Sequence, residues 1–502
     1  MDLSFEPKGM VKHALYSLLV IVGDLSAFYL ALWISYILRV DLLSRWIPVP
    51  FTRSFESLAL RVWMPLMMVV VFAYEGLYAK RVPFWEETRA VVKALFLSFL
   101  AIFSIVSLGK FSSEVSRAVI VNTGIVCLVL LPLVRMKWKA LLHTMDLGTK
   151  RTVLIGDSPI GRLAHQGFFR DHYMGIRLVG FVTVPERFQI QSLDGGSESE
   201  EQMGQTPSLD MLPPLPCLGT LDSLSDLVVR EGIRGAVVAA PALRRSDLAR
   251  LVEKVQRSVF SVYMVPNISH VSLLNSELLY LFYEEMFLVG VHNNLKSRIN
   301  RWFKESFDIS LAILLCVPLL PVLITITLLL KFSSTGPVFF AQRRVGQNGK
   351  IFSIYKFRTM HYGAEELLAD LLANNPSLEE EYRKNRKLRN DPRVTAFGRF
   401  LRRTSLDELP QLFNVLRGEM SLVGPRPAME VEIKKYYQEL ESEYGLVKPG
   451  ITGLWQVSGR SNNDFSMRVR LDLWYIKNWS LWLDLVILVR TVGVVLGRKG
   501  AL

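Results

Sequence analysis

Four apolar runs fill most of the first 135 residues, at about 13–38, 58–78, 91–109 and 115–135. Each approaches the ~20 residues that a helix needs to cross a bilayer's hydrocarbon core. Backbone groups in that medium must bond within their own segment, so the runs are predicted to be helices forming a transmembrane bundle over residues 1–145. Their interior polar residues are few, and Asp24, Glu75 and Asn122 are expected to hydrogen-bond between helices or to lie near an interface. No small-residue cleavage site follows the first run, which therefore reads as an anchor.

Charge sets an expected orientation. Lys8 and Lys12 precede the first run. Lys80, Arg81, Arg89 and Lys93 surround the second connection, and Arg135, Lys137, Lys139, Lys150 and Arg151 follow the fourth run. The positive-inside rule places both ends of the bundle in the cytoplasm, with Arg45, Arg53 and Arg61 as dissenting charges in the first outer loop. The net charge of +13 suits a protein facing anionic lipid. No zinc-finger spacing, RNP-like run or block of lysine and arginine supports a nucleic-acid partner, and none is expected. Cys127, Cys217 and Cys316 are far apart and form no C-x-x-C spacing, so neither a zinc site nor a disulfide framework is indicated.

Residues 146–290 read as a Rossmann-like α/β domain. Thr152–Ile155 is a short buried strand, followed by Gly156-Asp-Ser-Pro-Ile-Gly161 opening a helix. The pattern resembles the dinucleotide fingerprint with Ser158 in place of its middle glycine, which would obstruct a pyrophosphate. A structural or regulatory module is favoured over a dinucleotide site. Further strands are expected at 178–182, 236–240 and 261–265, in a parallel sheet. The polar, acidic and then proline-rich stretch 191–216 reads as a flexible insertion.

A fifth apolar run, 309–330, is long enough to span, yet Pro318 and Pro321 fall inside it. Gly346-Gln-Asn-Gly349 predicts a turn between two strands, and 364–387 a charged helical region interrupted near Pro376. Near the C-terminus, Trp474, Tyr475, Trp479 and Trp482 precede apolar residues interrupted by Asp484 and Arg490. This fits a segment lying at a membrane interface, a packed core helix being the alternative.

The densest chemistry lies in Arg402–Pro427, RRTSLDELPQLFNVLRGEMSLVGPRP. Leu409, Leu412, Phe413 and Leu416 share one helical face, with Gly418 as the expected C-cap. Ser405 and Glu408 match a capping box, but Pro410 is comfortable only in a first turn, which moves the helix start to about Asp407–Leu409. Asp407 and Glu408 would then sit at the positive end of the helix dipole, which would keep them ionised. From these features alone, catalysis and simple capping are both open.

The same stretch resembles the signature of bacterial polyprenyl-phosphate glycosyl-1-phosphate transferases. The resemblance continues through Gly336–Phe340, Gln342–Gly346 and Tyr355–Met360 upstream, and through Lys448–Gln456, Ser458–Arg460 and Asn478–Asp484 downstream. It covers about 300–502, and the layout of the whole chain resembles the long members of the family, of the undecaprenyl-phosphate galactose or glucose phosphotransferase type.

This resemblance implies a monotopic α/β catalytic domain over 291–502, its 309–330 run being a re-entrant membrane helix broken near Pro318 and Pro321. It implies transfer of a sugar-1-phosphate from a UDP-sugar to undecaprenyl phosphate, with Mg²⁺ as cofactor. Asp407 would be the nucleophile, and Glu408 would hold the metal or assist at the diphosphate. Arg426 would clamp phosphate, Lys356 and Arg358 would add positive charge, Arg402 and Arg403 would meet substrate or lipid phosphate, and Gln456 and Arg460 would contact nucleotide or sugar. It further implies a homodimer in the bacterial inner membrane with its catalytic domain in the cytoplasm. A membrane-tethered nucleotide-sugar dehydratase and a non-catalytic scaffold for polysaccharide assembly are the alternatives.

Overall fold

The computed structural model describes residues 7–42, 54–108, 116–156, 158–184, 215–240, 243, 245–265, 276–281, 286–291, 294–333, 336–374, 379–380, 391–438, 441–458 and 465–497. Arg460, Pro376 and nearly all of the 191–216 insertion lie outside them. The chain divides into two compact units, Met1–Ser269 and His270–Leu502. The protein combines apolar helices with α/β structure.

In the first unit, α1 (Pro7–Ile37), α2 (Phe55–Ala59), α3 (Trp63–Tyr74), α4 (Phe84–Leu108) and α5 (Arg117–Thr144) carry the four apolar runs. They share one core that includes Phe28, Leu58, Met68, Phe72, Leu95, Ile102 and Leu131. Outward-facing positions are apolar as well, among them Leu18, Val70, Phe96, Ile125 and Val129. A helix that is apolar on both its inner and outer faces suits hydrocarbon surroundings rather than water. Among the described residues, four helical segments of this unit and one of the second are long and apolar enough to cross a membrane.

Charge lies inside this core. Arg135 on α5 donates from Nε and Nη2 to Asp24 of α1 at 2.8 and 2.6 Å, and from Nη1 to Glu87 of α4 at 2.6 Å. Lys139, one turn along, donates to both oxygens of Glu87. Two cations and two carboxylates thus neutralise one another inside the core. Asp24 does bond between helices, as expected, and Glu75 pairs with Lys93 at 2.8 Å. The expectation for Arg135 and Lys139 is corrected: both are buried pairing partners, not charges flanking a span, because α5 continues to Thr144.

The sheet follows. Strands β1 (Lys150–Ile155), β2 (Ile176–Thr183), β3 (Cys217–Thr220), β4 (Gly235–Val238) and β5 (Ser261–Met264) are all parallel, in the order β3-β2-β1-β4-β5. Four of the five coincide with the expected strands; β3, beside the insertion, carried no clear pattern. Helix α6 (Pro159–Arg170) starts at Ser158, whose Oγ accepts the Gly161 N–H at 3.1 Å and donates to the Ala239 carbonyl at 2.7 Å. That side chain ties the start of α6 to the segment that follows β4.

The second unit begins with an antiparallel hairpin, β6 (Ser276–Leu281) and β7 (Met286–Val291). The long helix Arg298–Ser333 then runs as one helical segment through both Pro318 and Pro321, so the secondary structure is not interrupted where a break was expected. One face of this helix packs on the domain along its length. Ala312, Cys316 and Leu319 join one core with Leu412, Leu422 and Tyr475, while Leu323, Ile326 and Leu330 join another with Phe357 and Leu401. The opposite face, including Ile313, Leu314, Val317, Leu320, Ile324 and Leu328, is exposed and apolar.

Strands β8 (Phe339–Val345) and β9 (Ile351–Phe357) form the expected hairpin, turning at Gln347–Gly349 with Asn348 at φ 56°. The C-terminal helices Phe465–Asn478 and Leu481–Leu496 close the core. Asp484 is fully buried, accepting from Tyr475 Oη at 2.7 Å and Trp479 Nε1 at 3.1 Å and pairing with Lys304 at 2.8 Å. Tyr475 and Trp479 therefore belong to the core and not to a headgroup belt; Trp474 and the apolar face of Val489, Val492 and Val495 remain exposed.

Candidate active site

The carboxylate pair sits in a short 3₁₀ turn, Leu406–Glu408, between the helices Ala396–Thr404 and Gln411–Leu416. The first helix is fixed to the end of β9. Thr395 caps it through Gly398 N–H at 2.8 Å, its own N–H reaches the Thr359 carbonyl at 3.1 Å, and Arg402 Nε donates to Thr359 Oγ1 at 2.9 Å. Ser405 ends that helix in the left-handed region at φ 57°, and its side chain makes no cap. The capping-box reading therefore fails, and Pro410, at φ −60°, stands just ahead of the second helix.

Two expectations change here. The α-helix begins at Gln411 instead of Asp407–Leu409. The intervening 3₁₀ turn also shifts the phase of the apolar face: Leu412 and Val415 are buried, Leu409 packs with the Phe357–Leu401 cluster, and Phe413 is exposed. Gly418, at φ 74°, follows the helix end as anticipated. The dipole argument for Asp407 also gives way. Burial and then the neighbouring charge of Glu408 push its carboxyl up to about 6, against the opposing pull of Lys356 and Arg402.

Glu408 is held from the strand opposite. Lys356 on β9 donates to its Oε1 at 2.7 Å, and Arg426 Nη2 approaches the same oxygen at 3.8 Å. Arg426 stands on the Gly424-Pro-Arg-Pro427 turn, which a backbone contact holds in place. Strands β10 (Ser421–Val423) and β11 (Gly450–Thr452) pair in parallel, with Gly424 N–H to the Thr452 carbonyl at 2.9 Å and Gly450 N–H to the Pro425 carbonyl at 2.8 Å. A Cβ on Gly453 would come 2.2 Å from the Gly424 carbonyl oxygen, so a side chain there would force the strands apart.

Glu408, Lys356, Arg426 and Gln456 line one cleft together with Arg344, Gln411, Ile354, Pro427 and Ile451. Gln456 is buried and donates to the Ile451 carbonyl at 3.2 Å. Of the other expected residues, Arg402 faces Asp407 electrostatically. Arg358 is buried at the end of β9 beside Gly336 and does not line this cleft. Arg403 is exposed on its helix, and Arg460 lies outside the described residues.

Sequence reasoning named neither Arg344 nor Arg468. Arg344 lines the cleft and pairs with Glu432 at 3.5 Å; Arg468 donates to the Arg426 carbonyl at 3.1 Å. The guanidinium groups of Arg426 and Arg468 lie 5.9 and 5.7 Å from the centroid of the Trp455 ring. Asp472, behind them, accepts from Tyr437 Oη at 2.7 Å and is pushed up to about 6 by burial, with Arg468 opposing. The Gln342–Gly346 motif carried the signal for Arg344. Among the described residues no three His, Cys, Asp or Glu side chains are grouped as a metal cage. The cleft can gather anionic oxygens with Arg344, Arg426 and Lys356 around Glu408, with Asp407 next to it in the chain but not among the lining residues.

The family model for bacterial sugar transferases matches residues 299–498, which contain every residue of this cleft. Over 493 residues the chain is 35% identical to the undecaprenyl-phosphate galactose phosphotransferase of Salmonella typhimurium, covering 96% of each chain. It is 33% identical over 374 residues to a UDP-glucose:undecaprenyl-phosphate glucose-1-phosphate transferase of Xanthomonas campestris pv. campestris, covering 72% of this chain and 69% of that one. It is 46% identical over 198 residues to the exopolysaccharide production protein ExoY of Sinorhizobium fredii, covering 39% of this chain and 87% of that one. A transferase match across the cleft, joined to a full-length match in its long form, places the chain in the bacterial sugar transferase family, as a phosphoglycosyl transferase of the undecaprenyl-phosphate galactose or glucose phosphotransferase type.

Proposed function

We propose that the protein transfers a sugar-1-phosphate from a UDP-sugar to undecaprenyl phosphate, releasing UMP and leaving an undecaprenyl-diphosphate sugar. The observation that carries this reading is the half-buried Asp407 next to Glu408, with Lys356 at 2.7 Å and Arg426 at 3.8 Å from the Glu408 carboxylate. Two anionic substrates cannot approach a carboxylate unless their charge is offset, and this cleft supplies lysine and arginine for that purpose. The relatives' names include both galactose and glucose, and both remain candidate sugars. The reaction would be the first membrane step of O-antigen, capsule or exopolysaccharide synthesis.

In the first step an Asp407 oxygen attacks the sugar-bearing phosphorus. The bond from that phosphorus to the bridging oxygen breaks, and UMP leaves with the oxygen and its electron pair. In the second step an oxygen of undecaprenyl phosphate attacks the same phosphorus and displaces the Asp407 carboxylate. An Asp407 held near 6 is ionised at neutral pH, as the first step requires. Glu408, turned toward Lys356 and Arg426, would orient those cations on the diphosphate. Asp407 and Glu408 are too few to cage a metal alone, and would suit Mg²⁺ only as one or two carboxylates of a site that the substrate completes. Glu408 would hold it, and when bound it supplies positive charge against the diphosphate.

The enzyme would reside in the bacterial inner membrane as a homodimer, its catalytic domain toward the cytoplasm where nucleotide-sugars are made. The continuous contact of the long helix with its own domain, from Ala312 to Leu330, supports a helix that does not cross the bilayer. A helix crossing upright would draw its packed domain into the bilayer with it. Cysteines at Ser306 and Lys331 should then react with an impermeant reagent from the same side. Labelling from opposite sides would refute this topology, and a monomer by native mass spectrometry would refute the dimer.

The covalent mechanism is tested with protein and UDP-sugar in the absence of lipid acceptor. UMP release should stop near one equivalent of enzyme, with a phospho-sugar adduct on the peptide containing Asp407. Fast lipid-dependent turnover with no adduct under trapping would exclude the two-step route.

A further inference from the structure

A cluster of cations lies in the first unit, away from any catalytic motif. Because β1, β2, β4 and β5 are parallel, their N-terminal ends share one edge of the sheet. Strand β1 begins at Lys150, six residues after α5 ends at Thr144, so this edge lies beside the ends of the apolar helices. The contact is direct. Arg81, in the link from α3 to α4, donates to the Met174 and Gly175 carbonyls at 3.3 and 3.4 Å, and the Gly175 carbonyl also accepts the Lys150 N–H at 2.7 Å. The edge therefore sits at the level where α4 begins and α5 ends, both long and apolar enough to cross a membrane.

Three cations meet there. Lys150 reaches past Gly235, where a Cβ would stand 3.3 Å from its Cε, and donates to the Ser261 hydroxyl. The rings of Tyr263 and Phe260 lie 5.5 and 5.8 Å from its Nζ. Arg234 leads into β4 and is exposed. The hydrogen bonds of Arg81 and Lys150 go to neutral carbonyl and hydroxyl oxygens, while Glu231 is taken by Arg151 and Arg230. Burial, then the charges of Arg81 and Arg234, hold Lys150 below the usual lysine range, so these cations do repel one another. An anion placed among them would relieve that repulsion.

Phe260 decides between sources of the anion. It is 79% exposed, next to the cations and at the foot of the apolar helices. An aromatic at that level gains from acyl chains and headgroups, and a freely soluble phosphate makes no use of it. We propose that Arg81, Lys150 and Arg234 bind the phosphate of an anionic phospholipid headgroup, with Phe260 inserted beside it, so that the α/β domain rests on the leaflet.

The test uses the full chain carrying photoreactive benzoylphenylalanine at Phe260, in nanodiscs of phosphatidylcholine with or without phosphatidylglycerol. Illumination should crosslink phosphatidylglycerol well above its share of the bilayer. Arg234→Glu, at an exposed side chain, and Lys150→Met should together reduce that yield by about tenfold or more, since each basic residue near an anionic surface is worth roughly a factor of five. Elution as the unaltered protein does confirms that the variants are folded, and Arg234→Glu alone serves should the pair misfold. Crosslinking in proportion to bilayer composition, or a yield indifferent to the folded variants, overturns the proposal. Loss of the crosslink on adding millimolar inorganic phosphate at constant ionic strength would assign the cluster to a soluble anion, and overturns it equally.

Discussion

Asp407→Asn should abolish turnover and, at neutral pH, make the protein more stable. The wild-type carboxyl is pushed up to about 6 from an ordinary value of 3.8, by burial first and by Glu408 second. A carboxyl whose folded value is raised is least costly to the fold when protonated. Its penalty is absent below about 3.8, grows with pH, and is complete above about 6. A shift of this size corresponds to about 3 kcal/mol, and partial exposure of the group brings the expectation to about 1–3 kcal/mol. Asparagine keeps the shape and carries no charge, so it escapes that penalty while losing the proposed nucleophile.

The assay is thermal unfolding of both proteins in one detergent from pH 4 to pH 8, beside UMP release. The variant's Tm should exceed wild type by several degrees at pH 7.5, and the gap should close toward pH 4. Wild-type turnover should fall with unit slope below about pH 6, reaching about a tenth of its plateau one pH unit lower. A variant of equal or lower stability across the whole range would refute the argument that burial and Glu408 strain Asp407. So would a wild-type plateau that persists to pH 4.5.

Other outcomes follow from single contacts. Lys356→Met removes the 2.7 Å partner of Glu408 and should lower kcat/KM by about 10²–10³, with Lys356→Arg recovering part of it. Gly453→Ala places a Cβ 2.2 Å from the Gly424 carbonyl and should destabilise the second unit by about 1–3 kcal/mol, seen as a lower Tm with less UMP release per mole of protein. Arg135→Met leaves Asp24 and Glu87 without their shared guanidinium and should cost about 3–5 kcal/mol, read as a fall in the detergent-solubilised Tm. Adding Asp24→Asn should restore part of that loss, and no recovery would show that the ion pair is not the cause.

Features that depend on neighbours along the chain are legible in the residues themselves. Apolar runs long enough to cross a bilayer mark the helices, short apolar stretches mark four of the five parallel strands, and Gly346–Gly349 marks a hairpin turn. Local rules also locate the carboxylate pair and the proline ahead of its helix. They miss the 3₁₀ turn, because Pro410 permits more than one start and only packing against Leu401 and Phe357 selects among them.

Pairing across long separations is not legible in this way. Arg135 reads as a flanking charge until α1 and α4 bring Asp24 and Glu87 to it across 111 and 48 residues. Asp484 interrupts an apolar stretch until Lys304, Tyr475 and Trp479 satisfy it in the core. Arg468 looks like an ordinary surface cation, and Arg344 has no assigned use within its motif, until the Phe465–Asn478 helix and β8 bring them to Arg426. A charge's cost and use depend on what surrounds it, and side-chain type and spacing do not contain that information. Composition and periodicity determined which segments would be helix, strand or membrane-facing, while only the tertiary structure decided which charges would be neutralised inside the fold and which would be left facing a substrate.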